Sequence, residues 1–167
     1  SPYMSLSPLE QGQFNADFGA YHFPEIERSE EIKSLLLEAK KNGESYGGSI
    51  RTWIKNCPGG LGGPVFKKLK SKLGEALLSI GACTSFEYGP GVEHKNFRGR
   101  DISSDPRYFS GIEGGISNGD DILLQVSFKA PSTVGEKAKS GRHDPCIVPR
   151  AVVVVEAMVL MVLADFY

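Results

Sequence analysis

Four short stretches carry side chains or backbone shapes that packing alone does not require. Lys129-Ala130-Pro131-Ser132-Thr133 offers one cation and two hydroxyls on backbone stiffened by proline, a set suited to gripping a phosphate, although a strand running into an ordinary turn uses similar residues. Gly141-Arg142-His143-Asp144-Pro145-Cys146 continues through Ile147-Val148-Pro149-Arg150. Arg142, His143, Asp144, Cys146 and Arg150 therefore fall within nine positions just ahead of an expected helix N-terminus, where the dipole favours anions. Gly111-Ile112-Glu113-Gly114-Gly115-Ile116-Ser117-Asn118-Gly119 would let backbone N–H groups approach a ligand closely, but such stretches also make plain turns. It matches neither the dinucleotide fingerprint nor the phosphate loop. In Leu78-Ser79-Ile80-Gly81-Ala82-Cys83 the small residues could admit a flat ligand, with a plain helix-to-strand turn as the simpler reading.

Two other chemistries fit poorly. A metal on His143, Asp144 and Cys146 would need neighbouring residues to converge on one ion, and His22 and His94 supply no spaced partner motif, so no metal site is expected. Cys146 follows proline and enters an apolar stretch, which describes a packed thiol rather than a nucleophile.

The elements that must position these stretches follow from periodicity. Ser29-Glu30-Glu31 reads as a serine-capped helix start, followed by Ile32, Leu35, Leu36 and Ala39 at helical spacing and a stop at Gly43. Ser49 to Asn56 reads as a strand ended by Pro58-Gly59-Gly60. A second helix is predicted from Pro64 to about Leu78, with Val65, Phe66, Leu69, Leu73 and Leu77 on its apolar side. Lys67, Lys68, Lys70 and Lys72 would make a solvated face. Asp121 to Lys129 alternates Ile122, Leu124, Val126 and Phe128 with polar residues, a half-buried strand. From Pro149 to the C-terminus an almost continuously apolar helix should be covered on several sides. The order has no regular strand–helix–strand period, which favours α+β over a doubly wound sheet. The stretches up to Ile26 and from Gly89 to Gly111 carry little pattern.

The chain has 167 residues, 40% hydrophobic and 23% charged, enough for one compact unit with a core. Nineteen basic residues against twenty acidic leave no global field for nucleic acid or an anionic membrane, so an anionic ligand must be caught by a local cluster. Three separated cysteines, with no Cys-x-x-Cys pair, fit a reducing compartment better than a disulfide or zinc scaffold. Ser1 to Leu6 carries no basic region followed by an apolar one, so no signal peptide is expected. Ala151 to Ala164 falls short of the roughly 20 residues of a membrane span.

Taken together and in order, these stretches resemble chorismate synthase. The family carries close versions of Ser79-Ile80-Gly81-Ala82, Gly114-Gly115-Ile116-Ser117-Asn118-Gly119, Lys129-Ala130-Pro131-Ser132-Thr133 and Gly141-Arg142-His143-Asp144-Pro145-Cys146. Val148-Pro149-Arg150-Ala151-Val152 and Val155-Glu156-Ala157-Met158 follow in the same register. The resemblance covers the C-terminal portion of the family sequence as a single unit, with residues 1–28 a poorly patterned lead-in and 29–167 family-like. It implies part of a β-α-β sandwich, helices between antiparallel sheets. The activity implied is that of a carbon–oxygen lyase of the shikimate pathway, making chorismate from 5-enolpyruvylshikimate 3-phosphate with reduced FMN. FMN contacts carry over to Gly81, Ala82, Gly114, Lys129, Ala130, Pro131, Ser132, Thr133 and Arg142. Asp144 resembles the family aspartate that relays a proton near the flavin, and Arg142 would also stabilise the departing phosphate.

The departures bear on activity. The family's N-terminal histidine-bearing and arginine-rich motifs have no counterpart in this chain. Gly43-Glu44-Ser45-Tyr46-Gly47 looks like the first of them but belongs to a different segment, and Tyr46 cannot replace an imidazole near neutral pH. Val153 stands where the family usually has proline, and the joins before Gly111 and over Gly135 to Ser140 are short. The isolated chain is expected to bind FMN weakly or not at all and to be incomplete for catalysis. The alternative is a non-catalytic flavin- or phosphate-binding remnant, or a structural fragment. The family setting implies a homotetramer in a bacterial cytoplasm or a plastid stroma, with no nucleic acid, membrane or metal.

Overall fold

The structure, a computed structural model, describes residues 28–104, 106–140 and 143–167. Most of the expected lead-in, and Arg142, lie outside the described residues. In chain order the elements are α1 (Ser29–Asn42), β1 (Gly48–Ile54), α2 (Leu69–Leu78), β2 (Cys83–Tyr88), α3 (Gly99–Ser104), β3 (Ile112–Glu113), β4 (Ile116–Ser117), β5 (Ile122–Phe128), α4 (Glu136–Lys139) and α5 (Val148–Ala164). Single 3-10 turns at Gly91–Asn96 and Pro106–Phe109 flank α3. The class is α+β: an antiparallel sheet in the order β1-β5-β2, a separate β3-β4 hairpin, and helices on one face of the larger sheet.

The alternation in β5 decides that layering. Ile122, Leu124, Val126 and Phe128 are buried, and the residues between them are half-exposed. The buried set meets Leu69, Leu73 and Leu77 of α2 and Ala151, Val155 and Val159 of α5, which recur at helical spacing. On the opposite face Ser49 and Ser127 share a hydrogen bond of 2.9 Å, and Arg51 donates to Gln125 at 3.0 Å.

Helix α1 ends as its sequence implies. Gly43 takes the left-handed conformation (φ 70°) and its N–H returns to the carbonyls of Ala39 and Lys40. Its start differs. Arg28 already has near-helical angles and occupies the capping position, so Ser29 lies inside the first turn and makes no cap bond. Among the described residues the buried Ser29 hydroxyl finds no hydrogen-bond partner.

Helix α2 begins five residues later than predicted. Val65 adopts φ 60°, which cannot continue a right-handed helix, and the Gly63 N–H closes a turn onto Lys67. Val65 and Phe66 therefore face solvent instead of the core, Phe66 at 87% exposure. The first free amide of α2, on Leu69, donates to the Gly115 carbonyl, so the β3-β4 hairpin caps the helix.

Helix α5 is the second correction. Its composition predicts cover on several sides; the buried residues are Ala151, Val155 and Val159, with Val152, Met158, Val162 and Leu163 partly buried beside them. Val153, Val154, Leu160 and Met161 on its other side stand 46–59% exposed. The unpatterned stretch around α3 is held by rings: Phe97 and Tyr108 lie 4.7 Å apart, and His94 bonds the Tyr108 carbonyl through Nε2 at 2.9 Å.

Two measurements check this packing. Leu124→Ala opens a cavity under the central strand and is expected to cost about 2–5 kcal/mol, read as a lower denaturant midpoint. The purified chain is expected to sediment as an oligomer, and Leu160→Glu with Met161→Glu to move it toward the monomer. Unchanged sedimentation of that variant would exclude this face of α5 as the association surface.

Candidate functional site

Three elements meet where β5 ends. Phe128 lies opposite Gly48 on one side and Cys83 on the other. One residue further, the Lys129 N–H donates to the Ala82 carbonyl at 3.0 Å. Ala82 sits in the left-handed region (φ 66°), and a bulge follows between Cys83 and Ser85, with the Thr84 hydroxyl on the Ser127 carbonyl at 3.2 Å. A β-carbon built on Gly81 would touch nothing within 4 Å, so this turn is open to close approach. The side chains of Lys129 and Ser132 are exposed, and Ala130, Pro131 and Thr133 are half-buried.

The stretch after residue 142 lies alongside. The Tyr46 N–H donates to the Pro145 carbonyl at 2.7 Å, and the preceding residue, Ser45, donates its hydroxyl to the Pro131 carbonyl at 2.6 Å. Adjacent residues of one loop thus hold the two candidate segments side by side. Asp144 accepts an ion pair from Arg150 (Oδ2 to Nη1, 3.0 Å) at the N-terminal end of α5. Both line a cleft of about 560 Å³ whose far wall is α1, with Lys33, Leu36, Leu37 and Lys40. His143 is exposed. Burial pushes the Cys146 thiol above its ordinary range, the Asp144 charge adds to this, and a backbone bond from Val148 opposes it.

Gly114 lies elsewhere. It forms the turn of the β3-β4 hairpin, which packs at the Ile122 end of β5: a β-carbon on Gly111 would meet Ile122, and Gly115 caps the start of α2. Ser117 fastens the hairpin, donating its hydroxyl to the Pro58 carbonyl at 2.6 Å and accepting from the Leu61 N–H at 2.8 Å. Seven residues of strand put Ile122, the end of β5 where this hairpin packs, roughly 20 Å from the Lys129 end, at about 3.3 Å per residue. One chain therefore brings Gly81, Ala82, Lys129 to Thr133 and Asp144 into one neighbourhood and leaves Gly114 outside it.

The open turn at Gly81 and the exposed cation and hydroxyl beside it fit a flat ring carrying a phosphate, which is the shape of FMN. No three His, Cys, Asp or Glu side chains converge as a metal site among the described residues. No described helix is long and apolar enough to cross a membrane. Sequence reasoning missed the pairing of Asp144 with Arg150, which depends on how the chain turns into α5, and the cleft wall of α1, which depends on long-range packing. Ser45 it noticed only as part of a look-alike motif.

The architecture, an antiparallel α+β sheet with helices on one face, superposes on a solved protein, titled "Crystal Structure of Chorismate Synthase", with a TM-score of 0.72 and 31% identity. That match covers 87% of this chain and 44% of the other. The family described as chorismate synthase matches residues 9–167, beginning ahead of Ser29, and the chain belongs to that family. Chorismate synthase of Bdellovibrio bacteriovorus is 51% identical over 168 residues, covering 98% of this chain and 49% of that protein. The Christiangramia forsetii chorismate synthase is 40% identical over 193 residues, covering 97% and 54%. The chain spans about half the length of the curated relatives it matches.

The raised thiol yields a reactivity prediction. Because burial disfavours the thiolate, iodoacetamide at pH 8 is expected to alkylate Cys146 of the folded chain much more slowly than free cysteine. A rate equal to that of free cysteine would mean the thiol is not packed as described.

Proposed function

We propose that this chain is the C-terminal portion of an FMN-dependent chorismate synthase. The reaction is the loss of phosphate from 5-enolpyruvylshikimate 3-phosphate: the carbon–oxygen bond to phosphate breaks, a ring proton leaves, and the new double bond completes chorismate. Reduced FMN, when bound, lends electron density to the substrate as phosphate departs and is not consumed. The observation that carries the reading is the junction of Ala82 with Lys129, where an open small-residue turn adjoins an exposed cation and hydroxyl.

On this reading Lys129, Ser132 and Thr133 hold the cofactor phosphate, with Ala130 and Pro131 setting the backbone between them. Gly81 and Ala82 admit the flat ring. Asp144 relays the proton, and Arg142 steadies the departing anionic group. Arg150 holds the Asp144 carboxylate at the mouth of the cleft. The reading carries the family's compartment with it, a bacterial cytoplasm or a plastid stroma.

A second reading, a flavin- or phosphate-binding module without turnover, is favoured by the position of Gly114 at the far end of β5. If Gly114 contacts the cofactor, it does so from another copy of the chain. That requirement, and the uncovered face of α5, support a homo-oligomer, a tetramer in the family setting.

Titration of the purified chain with oxidised FMN tests both readings. Weak binding is expected, seen as quenched flavin fluorescence, lost at least tenfold in Lys129→Ala, with no chorismate formed by the chain alone. Clear chorismate production would overturn the view that this portion is incomplete. A folded chain that leaves the flavin spectrum untouched would overturn the reading of Lys129 to Thr133 as a phosphate grip within this chain.

A further inference from the structure

The loop between α1 and β1, residues 43–48, touches both candidate segments without belonging to either. The Gly43 carbonyl accepts from the Gly135 N–H at 2.7 Å, Ser45 binds the Pro131 carbonyl, and Tyr46 binds the Pro145 carbonyl. Gly47 lies so close to the end of β5 that a β-carbon there would stand 2.5 Å from the Phe128 carbonyl oxygen and 3.1 Å from the Ala130 nitrogen. No side chain fits at Gly47, so the loop backbone lies directly against the segment that leads into Lys129.

The Ser45 hydroxyl reaches from this loop to that segment in a half-buried bond of 2.6 Å across 86 residues. A trans peptide is planar, with its C=O and N–H pointing in opposite directions. Holding the Pro131 carbonyl toward Ser45 therefore directs the Ser132 N–H away from the loop, toward the exposed side of the segment where Lys129 and Ser132 stand. Proline fixes φ at Pro131 and biases Ala130 to extended backbone, so ψ at Pro131 is the main freedom left at this peptide, and Ser45 restrains it.

We propose that Ser45 is a positioning residue for the phosphate end of the ligand: it locks the Pro131–Ser132 peptide so that the Ser132 N–H joins Lys129 and the hydroxyls as a preset anion donor. The proposal rests on the reading of Lys129 to Thr133 as a phosphate grip. It assigns a structural cause to that grip, and the cause lies in a segment some eighty residues away, outside the grip itself. Ser45 need not touch the ligand.

The test is an NMR titration of the full 167-residue chain, which reads weak binding, with oxidised FMN and with riboflavin, which lacks the phosphate. In the unaltered chain FMN is expected to shift the Ser132 amide and riboflavin to leave it in place. Ser45→Ala is expected to weaken FMN binding about five- to tenfold, the effect of losing one ordinary hydrogen bond, without changing riboflavin binding. Ser45→Thr, which keeps the hydroxyl, should restore most of the difference. In Ser45→Ala, amide exchange at Lys129 and Gly135 should quicken while that of Val126 in the core strand stays the same. FMN binding and exchange that both survive Ser45→Ala would overturn the proposal alone. Equal losses for both flavins with faster exchange throughout would also overturn it, because Ser45 would then serve general stability. Absence of any FMN shift at Lys129 to Thr133 in the unaltered chain would overturn the phosphate reading and the proposal together.

Discussion

Strand β5 is hydrogen-bonded along both edges, and the rest of the molecule takes its position from that pairing. Its even residues from Ile122 to Phe128 form the floor on which α2 and α5 lie. A shift of one residue would turn all four apolar side chains to the open face and bring their polar neighbours under the helices. The register is therefore strongly determined. It sets Phe128 between Gly48 and Cys83, and so brings the end of β5 against the turn at Ala82. The candidate phosphate grip is a by-product of where the core strand stops.

The two ends of that strand are finished differently. At the Ile122 end the β3-β4 hairpin is pinned by the buried Ser117, and Asp121 accepts from the Trp53 indole at 3.0 Å and from the Asn56 N–H at 3.2 Å. Side chains there are committed to holding backbone. At the Phe128 end the backbone is held by the 43–48 loop, which leaves Lys129 and Ser132 exposed for a ligand. A site in which supporting groups hold the frame and the contacting groups remain unspent is better preorganised than one where the same groups do both.

Helix α5 serves the cleft at its first turn and the core along its buried side. Its first turn carries Arg150 to Asp144 at the cleft, its buried stripe closes the core, and its outer stripe is apolar and open. Val153 of that outer stripe lines the cleft beside the Asp144–Arg150 pair.

Much of this was legible in the residues. The period-2 pattern of β5, the period-3.6 pattern of α1, the glycine stop at Gly43 and the α+β class all follow from local repeats, because burying one face imposes a pattern on a single segment, whereas the continuously apolar α5 did not show which of its sides is buried. The start of α2 was not legible: the apolar residues at 65 and 66 fit the helix, and only the left-handed turn at Val65 removes them from it. The shared capping of α2 by Gly115, the separation of Gly114 from Lys129 and the service of Ser45 to Pro131 were likewise invisible, each being a contact between segments far apart in the chain. The sequence by itself determined which residues prefer the core and which segments carry unusual chemistry, since those are properties of side chains and short spacings. Which of those segments share a neighbourhood was decided only by the tertiary structure, because that depends on where β5 begins and ends between its two partners.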